Sequence, residues 1–195
     1  MVYDVLMRQK LLLHCCCGPC SAYPFSILSA DFDTFAFFSN SNIDTKKEYE
    51  KRLNSFARLC RAMNIPYETD TYAPELWLDA VKGLENEPER GKRCAACFNF
   101  RLKRTFEFAK INNIKYITTT LSVAPQKDSE MIFGVGRELT KEHGGCFLEL
   151  NFKKSDGYKK SRLIAKEHQL YIQDHCGCSF SIEQKNKREE RNETY

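Results

Sequence analysis

The sequence predicts an α/β domain, Rossmann-like and three-layered, with a mostly parallel sheet. Two observations predict it: short apolar, β-branched runs alternate along the chain with helical segments of ten or more residues, and the connections are long enough for right-handed crossovers. Lys10 to His14 is a short apolar run that enters a loop of cysteines, Gly18 and Pro19, so it reads as a buried strand, and Ser21 to Ala30 follows as a helix. Phe35 to Phe38 is a second strand. It leads through the polar loop Ser39-Asn40-Ser41-Asn42 into a helix opened by Thr45, with Glu48 three residues on as a capping box. Tyr49, Leu53, Phe56, Ala57 and Cys60 share one face of that helix.

Ile65 to Thr69 reads as a third strand, and Pro74 to Ala80 and Cys97 to Lys110 as helices separated by the charged stretch Glu85 to Lys92. Phe98, Leu102, Phe106 and Ala109 line one face of the longer helix. Lys115 to Thr120 is strand-like, Gln126 to His143 helical with Gly144-Gly145 as its stop, and Cys146 to Phe152 a last strand. In such a sheet ligands collect beyond the carboxyl ends of the strands, where Cys15 to Cys20 and Ser122 to Lys127 both fall.

A chain of 195 residues, 42% hydrophobic and 12% aromatic, can bury one full core. The expected organisation is one metal-binding α/β domain over residues 1–184 and a charged tail over residues 185–195. There is no apolar run of membrane-spanning length, and Met1 to Lys10 lacks the pattern of a secretory leader, so a soluble, cytoplasmic protein with no membrane partner is expected. The formal net charge of +4 is compatible with a polyanionic partner and establishes none.

In a reducing compartment, ten cysteines point to metal binding or redox chemistry and away from a disulfide framework. Three clusters stand out: Cys15-Cys16-Cys17-Gly18-Pro19-Cys20, Cys94-Ala95-Ala96-Cys97 and Cys176-Gly177-Cys178. Two cysteines separated by two residues can turn both sulfurs to one metal centre, and a helix N-terminus favours their thiolates. The three clusters together offer more thiols than one tetrahedral zinc takes. They admit an iron–sulfur cluster with further metal-binding thiols, two structural zincs, or a dithiol relay. Cys60 on an apolar helix face and Cys146 in a strand-like run read as core residues.

Among other candidates, His14 and His175 adjoin cysteine clusters and can move a proton or ligate metal. Tyr23 can supply a phenolic proton or stack on a base. The segment Thr118 to Asp128 carries hydroxyls from a strand into a helix start, a place for a phosphate or ribose, or for ordinary capping by Thr120 or Ser122. Lys153, Lys154, Lys159, Lys160 and Arg162 form a basic stretch suited to a nucleic-acid backbone or to a solvated helix face.

Five ordered segments resemble the cobalamin-independent epoxyqueuosine reductase family. They are Leu12 to Cys20, Phe37 to Ile43, Arg93 to Leu102, Thr119 to Asp128 and Tyr171 to Ser179, spread from about Leu11 to Ser179. The resemblance implies a PP-loop or HUP-like architecture and reduction of the epoxide of epoxyqueuosine, at the wobble position of tRNA, to queuosine. It further implies a [4Fe-4S] cluster with an additional mononuclear iron, tRNA as substrate partner and an electron donor that the sequence does not identify. The family pattern has two cysteines where this chain has Cys15, Cys16 and Cys17, and register selects Cys16 and Cys17. On this reading Cys17, Cys94, Cys97 and Cys176 are expected to hold the cluster and Cys16, Cys20 and Cys178 the iron, with Tyr23, Asp128 and His175 as catalytic residues. Two rivals carry different signatures: a nucleotide-dependent enzyme of the PP-loop class would bind ATP, and a zinc-stabilised nucleic-acid-binding module would hold zinc without sulfide.

Overall fold

The structure, a computed structural model, describes residues 8–183, so the charged tail expected over residues 185–195 lies outside the described residues. Five strands, β1 (Gln9–Cys15), β2 (Phe32–Phe38), β3 (Tyr67–Thr69), β4 (Tyr116–Thr119) and β5 (Cys146–Phe147), form one sheet in the order β3-β2-β1-β4-β5. Every pairing is parallel. β1 is central, and its Leu11, Leu12 and Leu13 are wholly buried. Both faces of that strand are covered, which is why its sequence is a continuous apolar run instead of an alternation.

The helices are α1 (Gly18–Asp31), α2 (Lys46–Ala62), α3 (Pro74–Ala80), α4 (Lys92–Ile111), α5 (Ser129–His143) and α6 (Gly157–Glu167), and residues 179–183 are again helical. α1 packs against α2 and α6, and α4 against α5, so the sheet lies between two helical layers. On α5, Gly136 allows the close approach to β5, because a methyl group there would stand 2.2 Å from the Phe147 ring. Among the described residues no helix is long and apolar enough to cross a membrane.

Several boundaries differ from the sequence reading. α1 begins at Gly18 rather than Ser21: Pro19 occupies the first turn, where a missing N–H costs nothing, and Cys17 caps the helix by accepting from the Cys20 N–H at 3.4 Å. α4 begins at Lys92, so Cys94 and Cys97 share one face of its first turns. α5 begins only at Ser129, because the Asp128 carboxylate accepts from the Glu130 and Met131 N–H groups at 2.9 and 3.2 Å. The last strand is two residues long; beyond it the chain is tied by side chains, Thr118 Oγ1 donating to Leu148 O and Ser122 Oγ to Leu150 O.

Thr45 caps α2 as expected, accepting from the Glu48 N–H. The Glu48 carboxylate turns elsewhere and accepts from Arg52 Nε at 2.7 Å and Tyr171 Oη at 3.1 Å. That exchange fastens the segment after α6 onto α2, directly upstream of Cys176.

Candidate metal centre

β1 lies between β2 and β4, and the order of the strands reverses between β1 and β4; the crevice beyond their carboxyl ends is where a doubly wound sheet binds ligands. β1 delivers Cys16 and Cys17 into it, and the first turn of α1 adds Cys20. The three sulfurs lie within 4.8 Å of one another, with Cys16 and Cys17 3.9 Å apart. A metal–sulfur bond of about 2.3 Å in tetrahedral geometry places ligand sulfurs about 3.8 Å apart, so this triad is sized for a single ion. Cys15 turns away into the core, where burial raises its thiol pKa.

The triad carries its own hydrogen bonds. Thr120 Oγ1 accepts from the Cys16 N–H at 3.0 Å and donates to Cys16 Sγ at 3.3 Å, while Gln173 Nε2 donates to Cys17 Sγ at 2.9 Å. Hydrogen bonds from the Cys17 and Cys20 thiols hold the Cys16 thiol well below its usual range, with Lys127 and Arg101 adding positive charge.

A second group of four thiols lies alongside. Cys94, Cys97, Cys176 and Cys178 line a small pocket of about 40 Å³, with Trp77, Met131 and Asp128 also in its wall. Cys16, Cys20 and Cys176 line an adjoining cavity of about 360 Å³, so Cys176 belongs to both. A hydrogen bond from the Cys178 thiol, reinforced by Lys127, Arg101 and Arg52, lowers the Cys176 thiol to about 5. Arg52 holds the loop in place by donating to Cys176 O at 2.8 Å and His175 O at 3.3 Å. Gly177 has φ +107°, and a methyl group on it would stand 2.7 Å from Arg52 Nη1, so no other residue fits this turn unstrained. All ten cysteines are free.

A buried arginine and a half-buried lysine face the thiols. Arg101 is only 2% exposed; its Nε donates to Ser39 O at 3.1 Å and its Nη2 to Asn40 Oδ1, and Asn40 Nδ2 in turn donates to Cys15 O at 2.9 Å. Burial alone would lower the Lys127 ammonium, but the Cys16 and Cys176 sulfurs outweigh it and raise its pKa. His14 is fully enclosed, with Nδ1 2.7 Å from Thr119 Oγ1 and Nε2 3.1 Å from Ser39 O. The carbonyl can only accept, so Nε2 carries the proton, and burial together with Arg101 pushes the ring down to about 3. His14 is therefore a neutral structural link between β1, β2 and β4. Two cavity-lining carboxamides keep a buried oxygen, Asn42 Oδ1 and Gln173 Oε1, without a hydrogen-bond partner among the described residues.

The structure brings most of the expected site residues together, in a different grouping. Cys17 stands with Cys16 and Cys20, and Cys178 lines the pocket of Cys94, Cys97 and Cys176. His175 lines the larger cavity, with Nδ1 2.7 Å from Asp174 Oδ1 and Nε2 3.4 Å from Arg52 Nη2. Asp128 lies in the wall of the smaller pocket with its carboxylate committed to capping α5. Tyr23 is not among the cavity-lining residues; its backbone faces Ser161 of α6, and Lys160 Nζ sits 5.1 Å over its ring. The hydroxyls of Thr118, Thr120 and Ser122 serve the protein's own backbone and Cys16, not an outside ligand.

Arg52 lies outside every segment that the sequence singles out, and Asn42, Arg101, Lys127 and Gln173 fall within such segments without any of them being assigned a role of its own. Arg101 had a signal, since it lies one helical turn beyond Cys97 and so shares its face.

A family profile described as epoxyqueuosine reductase QueH matches residues 11–184. The chain belongs to that family. Relatives named epoxyqueuosine reductase QueH include one from Streptococcus pyogenes, 34% identical over 181 residues that make up 90% of this chain and 71% of the relative. Another, from Haemophilus influenzae, is 35% identical and covers 94% of this chain and 76% of its own, and one from Thermotoga maritima is 34% identical over 88% and 90%. Among solved structures, the U34-tRNA thiolase NcsA from Methanococcus maripaludis with its [4Fe-4S] cluster superposes with a TM-score of 0.57 at 16% identity. That match covers 92% of this chain and 63% of the thiolase, and it is a likeness of fold.

Proposed function

We propose that the chain is a tRNA epoxyqueuosine reductase, removing the epoxide oxygen of epoxyqueuosine in tRNA to leave the alkene of queuosine. Beyond membership of the family, the observation that carries this reading is the meeting of three distant cysteine clusters in two adjoining pockets, with Cys176 in the wall of both. Free thiols and buried cations fit an anionic, thiolate-bound redox centre, and the two orphaned carboxamide oxygens offer acceptors to a donor group of the substrate.

Cys94, Cys97, Cys176 and Cys178 would hold the [4Fe-4S] cluster, and the ion-sized triad Cys16, Cys17 and Cys20 the additional mononuclear iron. Relative to the division expected from sequence, the grouping of the thiols exchanges Cys17 and Cys178. When bound, these centres supply electrons one at a time and a Lewis acid for the epoxide oxygen.

The reaction consumes two electrons and two protons and releases the oxygen as water. The chain's own contribution is to seat the substrate and deliver protons. Arg52 can only donate, so His175 Nε2 accepts from it and the Nδ1–H donates to Asp174. A proton taken up at Nε2, as the 3.4 Å contact with Arg52 is given up, faces the cavity, and Asp174 stabilises the imidazolium that carries it. Arg101 and Lys127 balance the negative charge of the thiolates. The electrons come from a separate one-electron donor, and tRNA as substrate fits a cytoplasmic setting.

Iron, zinc and acid-labile sulfide measured in protein isolated without oxygen test the reading. Stoichiometric sulfide with about one iron in excess of it, and conversion of epoxyqueuosine to queuosine in tRNA, are expected. Zinc without sulfide, persisting after anaerobic reconstitution, would overturn it in favour of a zinc-stabilised binding module. His175→Asn is expected to keep iron and sulfide while kcat falls about 10²- to 10⁴-fold. An unchanged kcat removes His175 from proton delivery.

A further inference from the structure

The reaction proposed above needs a nucleoside inside the 360 Å³ cavity while the strand that carries it stays outside, and this inference rests on that reading. The mouth of the cavity is formed on one side by α6, through Tyr158, Ser161 and Arg162. Ser161 and Ala165 are buried against α1, and the opposite face of α6 is exposed.

Charge is concentrated there. Between Lys153 and Glu167 lie six basic residues, Lys153, Lys154, Lys159, Lys160, Arg162 and Lys166, against two acidic ones, Asp156 and Glu167. Their difference equals the formal +4 of the whole chain, so the other residues sum to neutrality. Lys154, Lys159, Lys160, Arg162 and Lys166 are exposed. None of the five makes an ion pair with a carboxylate among the described residues, whereas exposed bases on α2 and α5 do. Tyr158 stands 39% exposed at the same rim.

We propose that α6 is the surface on which the RNA strand lies, Lys159, Lys160 and Arg162 meeting the phosphates that flank the modified nucleoside and Tyr158 stacking on a neighbouring base. A polyanionic strand matches a basic helix without carboxylate partners at the cavity mouth, and an aromatic ring beside cations is how single-stranded nucleic acid is gripped without reading its sequence. Spreading the phosphate contacts along one helix also fixes the direction from which the nucleoside enters, so the rim contributes register as well as affinity.

The test is binding of metal-loaded protein to the substrate tRNA as a function of salt, with steady-state kinetics alongside. Lys159→Ala/Lys160→Ala is expected to weaken binding about tenfold or more at low salt. It should flatten the slope of log Kd against log salt by about 1.4, two contacts at roughly 0.7 each. Tyr158→Ala should raise KM about tenfold and Tyr158→Phe should restore it. Lys141→Ala, at an exposed lysine of α5 already paired with Glu138, should change neither Kd nor slope.

An unchanged Kd and salt slope in the double variant overturns the assignment of α6. Wild-type protein with full iron and sulfide that converts no epoxyqueuosine overturns the functional reading and this inference with it. Normal conversion with unaltered binding by the double variant removes α6 alone.

Discussion

Cys176→Ser is expected to lower iron and sulfide together and to reduce turnover by about three orders of magnitude or more, because residues that act as a unit are lost as a unit. Cys176 is the one cysteine in the walls of both pockets, and its thiol is poised near 5 by the Cys178 hydrogen bond and by Lys127, Arg101 and Arg52. A serine oxygen keeps the shape but not the soft, ionised donor that iron–sulfur centres select. The residue sits on a loop fastened by Arg52, not in the main core, so unfolding of the metal-free chain should change little.

Cys60→Ser supplies the opposite pattern. Cys60 is wholly buried on the apolar face of α2, and its thiol is pushed up to about 12 chiefly by desolvation. Placing a hydroxyl there should cost about 1 to 3 kcal/mol of stability with iron and sulfide content intact. Metal analysis and denaturant unfolding on the two variants separate ligand loss from core damage. Full iron and sulfide in Cys176→Ser would remove it from the ligand set. The same assay decides the division of thiols: Cys178→Ser should lose sulfide, while Cys17→Ser should lose about one iron and keep sulfide.

Legibility of the fold followed from how its parts are stabilised. Leu11 to Leu13, the Tyr49–Cys60 face of α2 and the Phe98–Ala109 face of α4 are held by apolar burial, and a hydrophobic pattern records that directly. The helix starts at Gly18 and Lys92 were missed because Gly18-Pro19 carries the residues of a turn. Gly91, the N-cap of α4, offers no side chain to announce it, and the first turn behind it opens with Lys92 and Arg93.

In the site, spacing revealed which cysteines were candidates but not which would meet. Cys16 and Cys17 are neighbours in the chain, and where each sulfur points depends on Thr120 and Gln173, 104 and 156 residues away in sequence. Buried arginines were the least legible class. Arg93 is 3% exposed because it donates to the carbonyls of Leu84, Glu85 and Glu87, and backbone acceptors leave no mark on a pattern of side-chain types.

Arg101→Met is expected to shift the midpoint potential of the loaded protein by about 100 mV toward negative values while costing the metal-free chain about 1 to 3 kcal/mol. In the metal-free chain opposing contributions partly cancel. The guanidinium makes two hydrogen bonds, each worth about 1.5 to 3 kcal/mol to a charged donor, but its desolvation costs several kcal/mol and no carboxylate pairs with it among the described residues. Methionine fills the volume and Ser39 O retains the His14 Nε2–H as a donor, but the buried Asn40 Oδ1 loses its donor, which sets the residual cost. In the loaded protein the cation faces thiolate-bound iron, and each electron added raises the negative charge it stabilises. A unit charge several ångströms away at an effective dielectric of about 20 is worth about 2 to 3 kcal/mol, and about 2.3 kcal/mol corresponds to 100 mV. Removing the cation disfavours the reduced form, which fixes the sign. Redox titration followed by electron paramagnetic resonance reads the shift; a midpoint within about 20 mV of wild type, under about 0.5 kcal/mol by the same conversion, would show that Arg101 only packs. Arg101→Lys keeps the charge but not the paired donation to Ser39 O and Asn40 Oδ1. A lysine variant with the wild-type potential and a methionine variant without it would assign the effect to charge and not to geometry.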